Sequence, residues 1–232
     1  MGVSRETAPH ATVTGVSVME PRDLTADLTW AAEVETHLGP LHDLLATEGV
    51  TRGLIGPREV PRLWHRHLRN CVVVVDPSLE LVGSDATVCD IGSGAGLPGL
   101  VWAIARPDLR ITLLEPLQRR SRFLHEAVTE LGLADRVAIT TGRAQDVAPL
   151  GVDVVTSRAL APLPTVVEWS WPHLAANGSL IAIKGGKASE ELADSREMIA
   201  EHGGRDAEVI RIGPEGDDGH PQATVVRVLA GG

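Results

Sequence analysis

Cysteine is scarce in this chain: Cys71 and Cys89 are the only two in 232 residues. They form no C-x-x-C pair, so no redox dithiol is expected. Cys89 sits in an apolar strand pattern and reads as a small buried residue. The usage fits a reducing cytoplasm, the expected location. No apolar run is long enough to cross a bilayer. The N-terminus lacks a basic-then-apolar signal pattern. The nine histidines show no metal spacing with carboxylates or thiolates, so no metal is expected. His65-Arg66-His67 reads as a basic surface or packing element. Positive charge is short as well, with 21 Lys and Arg against 31 Asp and Glu and a net charge of −10. That argues against a general nucleic-acid binder but leaves room for a local basic patch. Two clusters qualify: Arg62, His65, Arg66, His67 and Arg69, and then Arg119, Arg120 and Arg122. Each alone is equally a solvated helix face. Internal repeats and low-complexity tracts are absent.

What the chain does have is the run Val88-Cys89-Asp90-Ile91-Gly92-Ser93-Gly94-Ala95-Gly96-Leu97-Pro98-Gly99. A β-prone stretch ends in an acid, four glycines follow, and a helical pattern begins. Only glycine lets a backbone bend this sharply and approach a ligand this closely. Gly94-x-Gly96-x-x-Gly99 matches the dinucleotide fingerprint, so NAD is one occupant to consider. The wider pattern Asp90-x-Gly92-x-Gly94-x-Gly96 is that of class I methyltransferases, which bind S-adenosylmethionine. Either ligand needs a second acid at the end of the next strand, and Arg110–Glu115 supplies Glu115. Pro98 leans away from NAD, because its missing N–H removes a donor from a helix start facing a pyrophosphate.

The rest of the chain organises around this turn. Residues 1–29 are rich in Thr, Ser and acids, and a mobile tail is expected. Residues 30–85 read as an N-terminal helical cap. In it Val34, Leu38, Leu41, Leu44 and Leu45 keep a helical period interrupted by Gly39-Pro40, and a second helix runs from Glu59 toward Val75. Residues 86–232 alternate strands and helices, which implies a parallel, doubly wound sheet. Strands are expected at 86–90, 110–115, 137–141, 152–157 and 180–184, the last entered by a turn at Ala176-Asn177-Gly178. Pro116 is placed at a helix start, with Leu117, Leu124, Val128 and Leu131 on the buried face. A helix from about Ser189 to His202 and a long-tipped hairpin, 209–212 and 224–229, close the chain. Such a hairpin is typical of the Rossmann-like class I methyltransferase fold, so the expected class is α/β of that kind.

In an open parallel sheet, ligands sit beyond the carboxyl ends of the strands. That rule selects Gly92 to Leu97, then Glu115, then Ala144 and Gln145, whose backbone or amide could meet an adenine edge. Gln145 is equally a plain surface residue on this reading. After the fourth strand comes Ser157-Arg158-Ala159. Arg158 either offers its fork to a carboxylate or phosphate or pairs structurally with Asp90 or Glu115. After the fifth come Lys184-Gly185-Gly186-Lys187, which suit a phosphate backbone or a flexible turn.

Asp90-Ile-Gly-Ser-Gly-Ala-Gly-Leu-Pro-Gly99, Ser157-Arg-Ala159 and Lys184-Gly185 together resemble the bacterial 16S ribosomal RNA guanine-N7 methyltransferases, also called glucose-inhibited division protein B. Arg66-His67-Leu68 is similar to that family's Arg-His motif, and Arg119–Leu124 to its Lys-Arg-x-x-Phe-Leu helix. The resemblance covers roughly residues 40–187. Departures are Thr51–Gly56 where the family carries Asn-Leu-Thr, Glu115 for an Asp, and Gln145 for an acid. The resemblance implies that Gly92, Leu97, Ala144, Gln145 and Arg158 contact S-adenosylmethionine, and the turn pattern with its second acid adds Asp90, Ser93, Gly94, Gly96 and Glu115 to the expected cofactor site. It implies 16S ribosomal RNA, or the small ribosomal subunit, as partner and 7-methylguanosine as product. Arg66, His67, Lys184 and Lys187 are the substrate-side candidates. No acid–base catalyst is expected, because guanine N7 already carries a free lone pair. The alternative is a class I methyltransferase acting on a small molecule or protein.

Overall fold

Nine strands make one mixed sheet in the computed structural model, which describes residues 16–215 and 221–231. In chain order they are β1 (Ser17–Val18), β2 (Arg22–Leu24), β3 (Thr87–Ile91), β4 (Arg110–Glu115), β5 (Val137–Thr141), β6 (Val152–Arg158), β7 (Leu174–Lys184), β8 (Gly204–Glu215) and β9 (Pro221–Ala230). From one edge to the other the order is β8, β9, β7, β6, β3, β4, β5, with β1 and β2 both added outside β8. Strands β3 to β7 are parallel, and β9 runs antiparallel between β7 and β8. The chain reverses strand order beside β3, and the glycine turn leaves the sheet at that switch point, where open sheets bind ligands.

Central strands buried on both faces need apolar residues on both, and β3 and β4 supply them. Val88, Ile111 and Leu113 join the cluster under the cap. Cys89, Ile91 and Leu114 join the opposite one. On the first face lie α1 (Leu28–His37), α2 (Gly39–Leu44), α3 (Arg69–Val72), α4 (Gly99–Ala105) and α5 (Gln118–Glu130). On the second lie α6 (Leu163–Ser170), α7 (Ala188–Asp194) and α8 (Arg196–Glu201). The cap is fastened to α4 by two side chains. Trp102, fully buried, donates its indole N–H to the Cys71 carbonyl at 3.0 Å. Arg106 donates to the carbonyls of Val75, Val82 and Gly83 while paired with Asp108.

Several expectations need correction. Residues 16–29 are not a tail. β1 and β2 extend the sheet on β8, and the Asp27 carboxylate caps α1 through the N–H groups of Thr29 and Trp30. Hydrogen bonds to the exposed edge of β8 explain the difference, and they depend on backbone rather than on an apolar pattern. Residues 1–15 of the expected tail lie outside the described residues. Leu117 is 51% exposed and caps α5 from an extended backbone, and Pro116 precedes it. The turn expected at 176–178 lies inside β7. There Val152 pairs with Leu174 and Val154 with Ser179, and Asn177 takes the left-handed φ of 63° that accommodates the extra residues. The helix expected from 189 to 202 breaks at Ser195, whose hydroxyl bonds back to the Glu191 carbonyl at 2.6 Å. The hairpin pairs as far as Glu215 and Pro221, and its tip at 216–220 lies outside the described residues. The β5–β6 crossover, 142–151, has no α-helix, only one 3₁₀ turn at Ala144–Asp146.

Candidate active site

The turn after β3 is built on left-handed glycines. Gly92, Gly94 and Gly96 have φ of 69°, 57° and 87°, a region costly to side chains with a Cβ. Space adds a second constraint at two of them: a Cβ on Gly92 would overlap Leu160, and one on Gly96 would overlap Leu100. Gly94 differs, because its Cβ would have nothing nearer than the Gly92 carbonyl at 3.8 Å. Its surroundings are open, as a ligand cradle requires.

Two buried carboxyls brace this turn. Glu115, 1% exposed, accepts the Gly94 N–H at 2.9 Å on one oxygen and the Leu117 N–H at 2.9 Å on the other. Each oxygen keeps a lone pair for a further donor such as a ribose hydroxyl. Asp90 is fully buried, and one of its oxygens accepts the Gly99 N–H at 3.0 Å. Its other oxygen has no partner among the described residues. Burial pushes the Asp90 pKa up to about 7 against the help of the Gly99 N–H, and the nearby Glu115 charge adds to the rise. Ser93, 2% exposed, donates its hydroxyl to the Asp90 carbonyl at 2.7 Å. The Leu97 side chain is buried in the core, so only its backbone is left for a ligand.

Arg158 ends β6 and pairs with neither Asp90 nor Glu115. Its Nε donates to Asn70 Oδ1 at 3.1 Å, and one Nη reaches the Arg66 carbonyl at 3.2 Å and His67 Nδ1 at 2.8 Å. A guanidinium only donates, so Nδ1 of His67 is the acceptor. Its proton therefore sits on Nε2, 2.9 Å from the Glu59 carboxylate. Burial holds the His67 pKa below the usual imidazole value, and the Arg158 charge acts in the same direction, while Glu59 opposes both. Asn70 in turn donates to the Gln222 carbonyl of β9 at 2.8 Å. A line of polar groups thus runs from the cap through Arg158 to the closing strand.

The remaining candidates separate. The Arg66 side chain is 63% exposed; its backbone carbonyl joins the Arg158 network, and its guanidinium lies 4.0 Å from Glu59. Lys187 is exposed at the start of α7. Lys184 does not present a free ammonium at the rim. Its side chain is 9% exposed, and Nζ lies 2.8 Å from the Ala161 carbonyl and 2.7 Å from Glu191. Strand pleating turns it inward, which the Lys-Gly-Gly-Lys pattern does not reveal. Ala144 and Gln145 form the 3₁₀ turn after β5, and the neighbouring Gly142 N–H is tied to the Glu115 carbonyl at 3.2 Å. Glu59, Asn70 and Glu191 are site-supporting residues that sequence reasoning missed. Their partners are 8, 88 and 7 residues away in the chain, at spacings without a motif. A cavity of about 460 Å3 lies at the other end of the sheet, lined by Thr87, Arg110, Thr112 and Arg136. It adjoins the amino ends of the strands, away from the turn and both acids.

The strand order, the antiparallel closing strand and an acid-braced glycine turn at the switch point define a class I S-adenosylmethionine-dependent methyltransferase. Comparisons with known proteins narrow the class. The family model "GidB: rRNA small subunit methyltransferase G" matches residues 35–216. A ribosomal RNA small subunit methyltransferase G of Kineococcus radiotolerans is 47% identical over 232 residues, covering 99% of this chain and 88% of that one. One of Thermobifida fusca is 54% identical over 187 residues, covering 80% and 76%. Among solved structures, an S-adenosylmethionine-dependent O-methyltransferase of Thermotoga maritima superposes with a TM-score of 0.53 at 14% identity, covering 75% of this chain and 70% of that one. That likeness speaks to the fold alone. The chain belongs to the rRNA small subunit methyltransferase G family.

Proposed function

We propose that this enzyme transfers the methyl group of S-adenosylmethionine to N7 of a guanine in the 16S RNA of the small ribosomal subunit, in the cytoplasm. The observation that carries the reading is the family match across residues 35–216, which spans the glycine turn, Glu115 and Arg158. The residues present suit the cofactor. The open side of Gly94 leaves room for a ligand, and the spare lone pairs of Glu115 offer acceptors to its hydroxyl donors. Gly92, Ser93, Gly96, Leu97, Ala144 and Gln145 complete the wall around it.

When bound, S-adenosylmethionine supplies an already activated methyl on a sulfonium. Guanine N7 has a free lone pair at neutral pH, so it would accept that methyl without a general base. The chain's task is to align the two atoms and exclude water. Orientation of that kind lowers barriers by about 7–11 kcal/mol in favourable cases. Arg158, held by Asn70 and His67, keeps the cap fixed over the β6 end of the sheet. Arg66 and Lys187 face solvent, where an RNA phosphate can reach them.

The test is transfer of labelled methyl from S-adenosylmethionine to small subunits isolated from cells lacking this protein, followed by nucleoside analysis. Labelled 7-methylguanosine is the expected product. Cofactor binding without any labelled RNA would overturn the assignment of the acceptor.

A further inference from the structure

His173 is fully buried in the 3₁₀ turn Trp171–His173 that follows α6, and the reaction makes no use of it. Its Nε2 lies 2.9 Å from the Ala144 carbonyl. A carbonyl only accepts, so Nε2 carries the hydrogen. The other ring nitrogen, Nδ1, is buried without a partner among the described residues. The imidazole therefore has one polar contact, and it is with the turn beside the cofactor site.

That contact fixes a peptide plane. The single cis bond among the described residues is Leu97–Pro98, so the Ala144–Gln145 peptide is trans. In a trans peptide the C=O and the following N–H point in opposite directions. With the Ala144 carbonyl drawn inward to His173, the Gln145 N–H points away from the buried imidazole. It makes no hydrogen bond among the described residues. No other hydrogen bond among the described residues engages this peptide's polar groups. The β5–β6 crossover has no α-helix, and the turn's own backbone bond, Asp146 N–H to Arg143 carbonyl at 2.9 Å, spans the 144–145 peptide without using its C=O or N–H.

We propose that His173 is a positioning residue for recognition of the cofactor's base: by holding the Ala144 carbonyl it aims the Gln145 N–H at an acceptor nitrogen of adenine. The inference rests on the reading of Ala144–Gln145 as the adenine-facing turn. Adenine presents an acceptor at N1, whereas hypoxanthine carries N–H there. A fixed backbone donor accepts the first base and rejects the second.

The experiment compares the intact enzyme with His173→Leu, His173→Asn and His173→Gln. It measures dissociation constants for S-adenosylhomocysteine and S-inosylhomocysteine by calorimetry, and kcat and KM for S-adenosylmethionine. Gln carries an N–H donor to about the reach of Nε2, and Asn does not. Leu and Asn should weaken S-adenosylhomocysteine by about tenfold, the scale of one lost hydrogen bond. The hypoxanthine-to-adenine ratio should shrink by a similar factor, with kcat at saturating cofactor held and KM raised. Gln should restore both. A merely structural histidine would lower stability without changing the ratio, and that result overturns the proposal. If the Leu variant fails to fold, the Asn and Gln pair decides, and equal ratios for the two overturn it. A wild-type enzyme that binds both nucleosides equally would instead remove the adenine-facing turn itself.

Discussion

Asp90→Asn should stabilise the unliganded enzyme at neutral pH and leave it nearly unchanged in acid. The Asp90 carboxyl ionises near pH 7 in the folded chain, against an ordinary value of 3.8 when exposed. Between those values the unfolded chain gives up its proton and the folded chain keeps it. A raised folded pKa contributes stability at low pH that is lost as pH rises through the folded value. At about 1.4 kcal/mol per pH unit, the full loss by pH 8 is about 4 kcal/mol. Of this, about 2–3 kcal/mol falls between pH 5 and pH 8. Asparagine is shaped like the neutral acid and can still accept the Gly99 N–H, so it escapes the loss. Urea unfolding of both proteins at pH 5, 6, 7 and 8 measures it, since other titrations cancel in the difference. The advantage of the Asn variant should grow with pH by that amount. The same variant should bind S-adenosylmethionine less tightly, because a potential anion beside the glycine turn is gone. A difference between the two proteins that is flat from pH 5 to pH 8 would refute the reasoning.

Other perturbations separate the residues brought together here. Gly92→Ala should cost about 1–3 kcal/mol in thermal or urea unfolding, from its φ of 69° and the overlap with Leu160, and should weaken cofactor binding in calorimetry. Lys184→Ala should lower stability by about 1–3 kcal/mol, through the stranded Glu191 and Ala161 carbonyl, and leave the salt dependence of RNA binding intact. Lys187→Ala should leave stability intact and reduce the salt slope by about one, read by filter binding across a salt series. His67, held below the usual imidazole value of 6.5, contributes stability that is present above that pH and lost as pH falls through its folded value. Protonation takes away the acceptor for Arg158, so activity should drop on the acid side, and His67→Gln should flatten that limb of the pH–rate profile.

The centre of the sheet was legible in the sequence because β3 and β4 are buried on both faces and are largely apolar. β4 and β5 fall where the pattern puts them, and the acids Asp90 and Glu115 stand at strand ends that periodicity alone can find. The glycine turn was legible because three left-handed positions in five residues leave few alternatives to glycine. What escaped was long-range polar structure. Lys184 looks the same in sequence whether its ammonium faces phosphate or Glu191, and Arg158 could be assigned a ligand or an acid. The actual partners, Asn70 and His67, lie about 90 residues earlier, and only the fold brings them within reach. β1 and β2 escaped for a related reason: three residues or fewer paired to an edge carry no periodicity to read.

The net charge of −10 looks unsuited to an RNA substrate until the charges are located. Asp90 and Glu115 are internal to the turn, Glu208 is 2% exposed between Arg22 and Arg227, and Glu191 is tied to Lys184. Such carboxylates count toward the total and project little outward. Arg119 and Arg122 on α5, Arg143 after β5 and Lys187 after β7 are exposed and have no ion-pair partner among the described residues. All four follow the carboxyl ends of strands, on the rim that also holds the glycine turn, with Asp146 an exposed acid among them. Screening over about 8–10 Å at physiological salt makes the local set matter more than the distant total. An acidic chain with a cationic rim admits a phosphate backbone at one place and repels it elsewhere. That arrangement favours a single docking orientation over general affinity, as the proposed reaction at one base of a large RNA requires.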